Sequence, residues 1–362
     1  MKTNEGQGKQ ERAAVETAVT IKLGMDVHAR QVAICVQVDG ATPQPAQLVD
    51  RERVLEWIGR LRGRHGAATL VSCYEAGPLG YGLHRQLTAA GVSNYVVTPQ
   101  RMDERGKGQK TDRLDARALV MRLDRYVGGN VHALAVVRVP TPEQEKARAK
   151  LRLRQQLVKT RRQHEARGRS AMLAQGIWVQ GPWWRPKRWQ ELAGQLPDWL
   201  RELIGPWQEL AVEVDRREKA LRQELEAAAP PQLPLAVGAL SWVSLSREIL
   251  DWSRFRNRRQ VASYTGLCPG ISQSGQKART GCINRCGNPA VRHALVEMVW
   301  RLARYQPAYP PVRPLVSAGL SPRQRRKHVV AAARRLAIDL WRIATGQCTA
   351  EQLHLGALPA AR

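Results

Sequence analysis

The sequence predicts a mixed α/β domain followed by mainly helical segments. Three observations support this prediction. Apolar residues alternate between Val19 and Val38, strand and helix patterns alternate from there to Thr98, and a charged stretch from Glu143 to about Ala228 has helical periodicity with few strand signals. The chain has 362 residues, 43% of them hydrophobic, which is enough for two or three cores. We therefore expect several domains.

The first domain begins with a hairpin, because two alternating apolar runs, at 19–25 and 32–38, flank a short polar turn. The elements that follow in order are a helix, a strand, a helix, a strand and a helix, at 51–61, 67–74, 79–90, 95–98 and 111–123. Thr111 is the expected N-cap of the last helix. A meander followed by alternating helices and strands predicts a mixed sheet covered by helices, and the RNase H-like fold is one such sheet.

Prolines mark the domain boundaries, since Pro140 and Pro142 follow the first domain and Pro230, Pro231 and Pro234 follow the charged stretch. The expected segments are a disordered N-terminus, the mixed-sheet domain, a helical coiled-coil arm with a tryptophan-rich insertion, a mainly helical domain and a tail, at 1–17, 18–139, 140–230, 231–345 and 346–362.

The charge balance points to a polyanionic partner. Lys and Arg total 58 against 31 for Asp and Glu, a formal net charge of +27, and nucleic acid is the natural ligand for such an excess. The sequence has no apolar run of about 18 residues and no apolar stretch typical of a signal peptide. We expect a cytoplasmic, nucleoid-associated protein with no membrane contact. Its six cysteines are expected to be reduced, and zinc is disfavoured because Cys268, Cys282 and Cys286 lack CxxC spacing and a fourth ligand.

Four carboxylates form the main candidate site. Asp26 and Glu75 each end a predicted strand, and Asp112 and Asp115 share a face of the next helix. If the four converge, they repel one another unless a hard divalent cation lies among them. A lone DxxD is usually a solvated acidic face, but acids at two strand ends of a basic chain favour Mg²⁺. Two such ions can stabilise the attacking and leaving oxygens of a phosphoryl transfer, so a two-metal site is possible.

Residues near these acids have more ordinary interpretations. His28 lies two residues after Asp26, but a lone histidine at a turn is more often structural, and we do not assign it a catalytic role. Lys107 and Lys110 precede the DxxD and are expected to contact a phosphate backbone, with local charge balance as the alternative.

The arm carries a basic face and a tryptophan cluster. Four basic residues are spaced to line one helix face and are expected to bind nucleic acid: Arg148, Arg152, Lys159 and Arg162. Trp178, Trp183, Trp184 and Trp189 lie among basic residues in the segment GIWVQGPWWRPKRWQ. Interleaved aromatic and basic residues can stack bases, but these tryptophans can equally cap the arm or pack a dimer contact. Both interpretations stay open.

Four segments resemble the Asp-Glu-Asp-Asp transposases of the insertion-sequence 110 and 1111 group. They are GMDVHA (24–29), YEAGPLGYGL (74–83), KTDRLDARAL (110–119) and ASYTGLCPGISQSGQKARTGCINRCGNPAVRHAL (262–295). The first three correspond to the metal ligands of the family's RuvC-like domain, which assigns that role to Asp26, Glu75, Asp112 and Asp115. The fourth corresponds to the family's transposase domain.

The resemblance implies a serine nucleophile. The family's Ser-Gly pair matches Ser274 and Gly275, with Ser272 as the neighbouring alternative. It implies that the serine attacks a DNA phosphodiester and forms a phosphoserine link, which keeps the bond energy needed for rejoining. Lys277 and Arg279, in the same glycine-rich basic segment, are expected near the phosphate backbone.

The resemblance also implies a noncoding bridge RNA that pairs with target and donor DNA, so that the protein holds helices by shape and charge. A basic cluster fits this task, with a solvated helix face as the alternative: Arg323, Arg325, Arg326, Lys327, Arg334 and Arg335. We expect a homodimer or homotetramer, because recombination handles two duplexes. Two other functions fit the residues, namely a Holliday-junction type nuclease that uses water as nucleophile and a nucleic-acid-binding protein with an inactive RNase H-like domain.

Overall fold

The computed structural model describes residues 19–99, 111–231, 233–274, 277–317 and 319–356, with the backbone alone at 271–272, 274 and 277–280. The expected disordered segment 1–17 and the candidate residues Lys107, Lys110 and Gly275 lie outside the described residues. The chain divides into two compact units between Val139 and Pro140.

The first unit contains a five-stranded mixed sheet with the order β3-β2-β1-β4-β5. Its strands are β1 (Thr20–Val27), β2 (Gln31–Val38), β3 (Gln47–Asp50), β4 (Thr69–Glu75) and β5 (Ser93–Val97). The pairs β1–β2 and β2–β3 are antiparallel, whereas β1–β4 and β4–β5 are parallel. The predicted mixed α/β class is therefore confirmed.

Helices cover both faces of this sheet. They are α1 (Val54–His65), α2 (Gly82–Ala89) and α3 (Asp112–Val127). Successive residues of a strand point to opposite faces, so Ile21, Leu23 and Met25 of β1 are fully buried with side chains of α1 and α2. On the other face, Ala33 and Cys35 of β2 pack against α3. The unit is thus a three-layer α/β/α arrangement.

A long helical arm opens the second unit. Helices α4 (Pro142–Ala174) and α6 (Asp198–Ala227) pack against each other, and the short α5 (Pro186–Ala193) lies between them in the chain. Ion pairs between α4 and α6 show the relative direction of the two helices. Arg154 contacts Glu218 at 2.7 Å, and Arg161 contacts Asp215 at 3.4 Å. Partner numbers fall along α6 as they rise along α4, so the two helices are antiparallel.

The tryptophan-rich segment packs one end of this arm. Trp183 and Trp184 are almost fully buried, and the Trp183 indole N–H donates to the Glu165 carbonyl at 2.9 Å. A Cβ at Gly168 would lie 2.0 Å from the Trp183 ring, so the glycine makes room for the indole. The packing interpretation therefore holds for these two tryptophans. Trp178, in contrast, is 69% exposed.

The rest of the second unit, over its described residues, is a helical core with a β-hairpin. Its elements are α7 (Ala239–Ile249), α8 (Arg258–Thr265), β6 (Pro269–Ser274), β7 (Lys277–Ile283), α9 (Pro289–Tyr305), α10 (Arg313–Val316) and α11 (Pro322–Ala344). Met298, Leu302 and Leu336 are fully buried where α9 packs against α11. Ser274 was expected inside a polar loop, but its backbone ends strand β6. The hairpin escapes prediction because its residues lack apolar alternation.

The segment after Gly346 is not a free tail over its described length. Leu355 is fully buried in the core of the second unit. The backbone N–H of Leu235 donates to the Gly356 carbonyl at 2.9 Å, and the Gly356 N–H donates to the Gln306 side chain at 2.7 Å. Buried apolar contact and paired backbone groups therefore hold the chain to this core as far as Gly356.

Within the described residues, no helix combines the length and the apolar character that crossing a membrane requires.

Candidate functional site

Strand β1 and helix α3 together position the acidic site. Lys22, Gly24 and Asp26 are alternate residues of β1 and share the face that meets α3. The buried Lys22 ammonium pairs with Asp124, near the end of α3. Gly24 lies against the Ala116 and Val120 backbone. Asp26 comes last along the strand and meets the beginning of α3. The helix therefore runs back along the strand from the acidic end.

The beginning of α3 is fixed by its cap. The Thr111 hydroxyl accepts from the Leu114 N–H at 3.4 Å, so the predicted N-cap is confirmed. Asp112 is the first residue of the helix and Asp115 lies one turn later. Acidic side chains in a first turn interact favourably with the helix dipole. The cap therefore places the DxxD at the N-terminus of α3, beside the end of β1.

Asp26, His28 and Asp112 converge on one point. The His28 Nε2 atom lies 3.3 Å from Asp26 Oδ2 and 3.4 Å from Asp112 Oδ2. The three side-chain ligand atoms all lie within 4.8 Å of one another. His28 was considered from the sequence and assigned no role, although its position two residues after Asp26 was a signal that it lies near the candidate ligands. We now count it as part of the site.

Burial is the main cause of the raised pKa of Asp26, and the neighbouring charges modify it. Burial raises the pKa of Asp26, the His28 side chain lowers it, and the charges of Asp112 and Asp115 raise it again. Asp115 is itself only 8% exposed. Like charges held close together cost free energy that a bound cation removes. The site therefore has a physical reason to attract a divalent ion.

Glu75 lies at the same edge of the sheet. Parallel strands β1 and β4 pair Met25 with Tyr74, so Asp26 and Glu75 are the next residues along adjacent strands. Among the described residues, the compact group of ligand atoms includes neither Glu75 nor Asp115. Convergence of all four carboxylates stays a prediction.

The donor set suits a hard cation. The group of ligand atoms consists of two carboxylate oxygens, from Asp26 and Asp112, and one imidazole nitrogen, from His28. Mg²⁺ is typically held by one or two carboxylates together with water, which the two aspartates can supply. The residues present therefore fit the expected ion. In the described part of the chain, Cys268, Cys282 and Cys286 join no comparable group, and all six cysteines are free.

The second candidate site is the hairpin that carries Ser274. Its register pairs Ser274 with Lys277 and Ser272 with Arg279, so the backbone places each serine opposite a basic residue. The base of the hairpin is tightly packed, because a Cβ at Gly287 would lie 2.2 Å from the Gly266 nitrogen. Only glycine, which has no Cβ, allows the backbone at 287 to come this close to the backbone at 266.

Asn288 links the hairpin base to the helices. Its side-chain oxygen caps α9 by accepting from the Ala290 and Val291 N–H groups, and Pro289 occupies the first helical turn. Its amide nitrogen donates to the Glu248 carboxylate at 2.8 Å. The GNP sequence at 287–289 therefore combines a close backbone approach, a cap and a helix start.

Arg148 was predicted to lie on a nucleic-acid-binding face, but its contacts are with the protein. Its side chain is only 14% exposed and donates to the Arg247 and Glu248 carbonyls at 2.8 and 3.0 Å. The residue therefore ties α4 to α7. Arg152 and the basic residues at the start of α11, Arg323, Arg325, Arg326 and Lys327, are exposed.

A groove runs between α4, α7 and α9, and we call it the arm groove. Its volume is about 660 Å³, and its charged lining consists of Arg154, Lys159, Arg162, Arg301 and Glu297. Arg154 pairs with Glu218. Arg301 donates to the backbone carbonyls of Ala236 and Val237, which lie just before α7. Lys159 and Arg162 are exposed and have no acidic partner among the described residues.

The charge of the arm groove is testable. We expect Lys159→Gln with Arg162→Gln to weaken duplex binding and to lower the slope of log K against log salt by about 1.8, because each lost phosphate contact contributes about 0.9. Fluorescence anisotropy across a salt series measures both.

Arg216 and Arg217 provide the matched control for the arm groove. They are exposed arginines that share Glu213 and lower its pKa to about 2. Replacing both with glutamine is expected to leave the slope nearly unchanged. An equal fall in the slope for the two double variants would contradict specific binding in the groove.

Comparison with known proteins identifies the class of protein. Residues 236–311 match the family model described as "Transposase IS116/IS110/IS902 family". A Sinorhizobium fredii protein named as a transposase, y4rJ, is 31% identical over 308 residues, or 74% of this chain and 75% of the relative. A second one, y4qE, is 31% identical over 65% of this chain and 59% of its own length. The Coxiella burnetii transposase for insertion sequence element IS1111A is 26% identical over 74% of this chain and 75% of its own length.

These matches define an enzyme of DNA transposition, which cuts and rejoins DNA. The chain belongs to the IS116/IS110/IS902 family of transposases.

Proposed function

We propose that this transposase is an RNA-guided recombinase whose first unit is an RNase H-like, Mg²⁺-binding domain and whose second unit supplies Ser274 as the nucleophile. The main observation behind the proposal is the convergence of Asp26 and Asp112 at the junction of β1 and α3. The strand order, with three antiparallel strands followed by two parallel ones, supports the RNase H-like assignment.

The carboxylates hold the metal in this proposal. Asp26 and Asp112 would bind it, Glu75 and Asp115 would complete its surroundings, and His28 would position the two binding carboxylates through its Nε2 atom. Bound Mg²⁺ would polarise the scissile phosphate and stabilise the charge on the leaving oxygen. His28 also keeps Asp26 and Asp112 together, because its ring nitrogen contacts both.

Ser274 performs the covalent step. Its hydroxyl oxygen attacks the phosphorus, a P–Oγ bond forms, and one P–O bond to a sugar oxygen breaks. The hydroxyl proton ends on that sugar oxygen, so the number of phosphodiester bonds is unchanged. A sugar hydroxyl of another strand reverses the step and rejoins the DNA without an external energy source.

Recognition of sequence is assigned to a noncoding bridge RNA. The excess of 58 basic over 31 acidic residues suits binding of helices through their backbones. Because two duplexes take part in recombination, we propose that the chain acts as a homodimer or homotetramer.

Trapping of a covalent adduct tests the serine mechanism. With DNA carrying the insertion-sequence junction, the flanking noncoding RNA and Mg²⁺, the wild-type protein should form a protein–DNA adduct that survives denaturation. Ser274→Ala should abolish this adduct, because the variant lacks the proposed nucleophilic hydroxyl.

Ser272→Ala is the matched control, two residues earlier on the same strand. Loss of the adduct only in Ser272→Ala would move the nucleophile to Ser272. Full cleavage by Ser274→Ala without any adduct in the wild type would instead establish water as the nucleophile, as in a Holliday-junction type nuclease. Cleavage that is unchanged when the RNA is omitted would remove the guide from the proposal.

A further inference from the structure

Trp300 is an exposed aromatic residue that the core does not use. It lies on α9, which buries Met298, Val299 and Leu302 in the helical core, yet the indole of Trp300 is 43% exposed. An exposed indole leaves apolar surface in water, which is unfavourable unless a ligand covers it. A single exposed aromatic residue is common, so the surroundings of Trp300 decide its meaning.

Those surroundings form a small basic pocket. Trp300 lines a depression of about 460 Å³ together with Leu320, Pro322, Arg325 and Arg326, and we call it the Trp300 pocket. The described residues that line it include no acid. Arg325 and Arg326 are exposed, and neither has an acidic partner within the part of the chain that the structure describes. The pocket therefore offers one aromatic wall and two uncompensated positive charges.

The backbone that carries Arg325 and Arg326 is held in place at the start of α11. They lie in the first turns of α11, whose N-terminus is held by a capping box in which Ser321 and Gln324 bond each other's backbone N–H. The Arg326 Nε–H donates to the Pro322 carbonyl at 3.3 Å, which holds its stem against the pocket. The positive end of the helix dipole adds to the guanidinium charges. The combined field favours an anion beside the indole.

We infer that the Trp300 pocket binds an unpaired nucleotide, with the base stacked on Trp300 and its phosphate held by Arg325 and Arg326. The inference rests on the nucleic-acid binding in the proposed function. Aromatic side chains stack on single-stranded bases of any sequence, whereas a base inside a duplex has its faces covered by its neighbours. The ligand is therefore a single-stranded segment.

Binding of short oligothymidylate and oligouridylate to the full chain tests the pocket, with no metal, guide or cleavage needed. Trp300→Ala should weaken binding by about 5- to 150-fold, the range typical of one lost base stack. Trp300→Phe should keep most of the affinity, because it retains an aromatic face. The matched control is Trp199→Ala, which removes a 53% exposed tryptophan from α6.

The arginines give a second, independent readout. Replacing both Arg325 and Arg326 with glutamine should lower the salt slope for single strands by about 0.7, because the two side chains hold one phosphate and each phosphate contact contributes about 0.7. Thermal melting verifies that each variant is folded.

Comparison of the two oligonucleotides identifies the source of the ligand. An equal loss of affinity for both oligonucleotides means that the pocket contacts only the base and the phosphate. A loss of affinity for one of them alone identifies that nucleic acid, DNA or RNA, as the ligand of the pocket. Unchanged affinity of folded Trp300→Ala for both would overturn the inference. These binding results do not depend on Ser274 or the metal, so failure of the covalent mechanism would leave them interpretable.

Discussion

Asp112→Asn is expected to lower Mg²⁺-dependent DNA cleavage by at least about 100-fold, because even partners outside the ligand shell change metal activity by 10- to 100-fold. The substitution keeps the shape of the side chain and removes its charge. Asp112 is 55% exposed and lies 3.4 Å from His28 Nε2, so an amide fits without repacking.

The stability of the metal-free protein should change far less than its activity. The Asp112 charge raises the pKa of Asp26, which means that the two carboxylates repel each other when no cation is bound. Removing one charge relieves that repulsion but also removes a favourable interaction with the N-terminus of α3, so the melting temperature of the metal-free variant should stay close to that of the wild type. Added Mg²⁺ should raise the melting temperature of the wild type and raise that of the variant much less, since a ligand stabilises only the state that binds it.

Glu52→Gln is the control for this prediction. Glu52 is an exposed carboxylate of the same unit and follows β3, so its substitution removes one negative charge without touching the candidate site. Its cleavage rate and its response to Mg²⁺ should match those of the wild type. Asp112→Asn that cleaves within a few-fold of the wild type would show that the carboxylates do not form the metal centre.

The sheet was predictable because apolar residues alternate regularly along its first two strands. Alternation at 19–25 and 32–38 matches β1 and β2 closely, and the order of helices and strands predicted the mixed sheet. The ends of the helices were predicted less accurately than their order. The helix expected at 79–90, for example, covers only Gly82–Ala89. Helix ends depend on caps and tertiary contacts, which periodicity does not contain.

Side-chain partners were harder to predict than elements. His28 contacts both Asp26 and Asp112 only because a turn returns its ring over the end of β1, and no local pattern states that geometry. Arg148 has the spacing of a basic face, yet its guanidinium meets carbonyls about 100 residues away in the chain. Long-range contacts of this kind decide whether a charge faces a ligand or the protein.

Gly24→Ala is expected to cost about 3 kcal/mol or more of unfolding free energy, at or above the upper end of the usual overpacking range. A Cβ at this position would lie 2.2 Å from the Ala116 carbonyl oxygen and 2.3 Å from the Val120 nitrogen. Both atoms belong to the backbone of α3, so no side-chain rotation relieves the clash. The helix must move away from β1, and chemical denaturation measures the cost.

Gly59→Ala is the matched control, because a Cβ at Gly59 meets nothing within 4 Å. Gly59 lies on the exposed side of α1, where alanine is favoured over glycine by up to about 1 kcal/mol. The two substitutions add the same methyl group to the same unit and should change stability in opposite directions. Equal stabilities would mean that α3 does not pack on β1 as closely as the structure has it.

The same clash links packing to catalysis. Asp112 begins the helix that Gly24 allows onto the strand, and Asp26 lies two residues beyond Gly24. Gly24→Ala should therefore lower Mg²⁺ affinity and stability together, whereas Asp112→Asn lowers the Mg²⁺ response alone. Hydrogen exchange of the α3 amides in the folded variant distinguishes the cases, because a displaced helix exchanges faster than one that has lost only a charge. A variant that is destabilised but keeps wild-type Mg²⁺ affinity would show that the close packing and the metal site are independent.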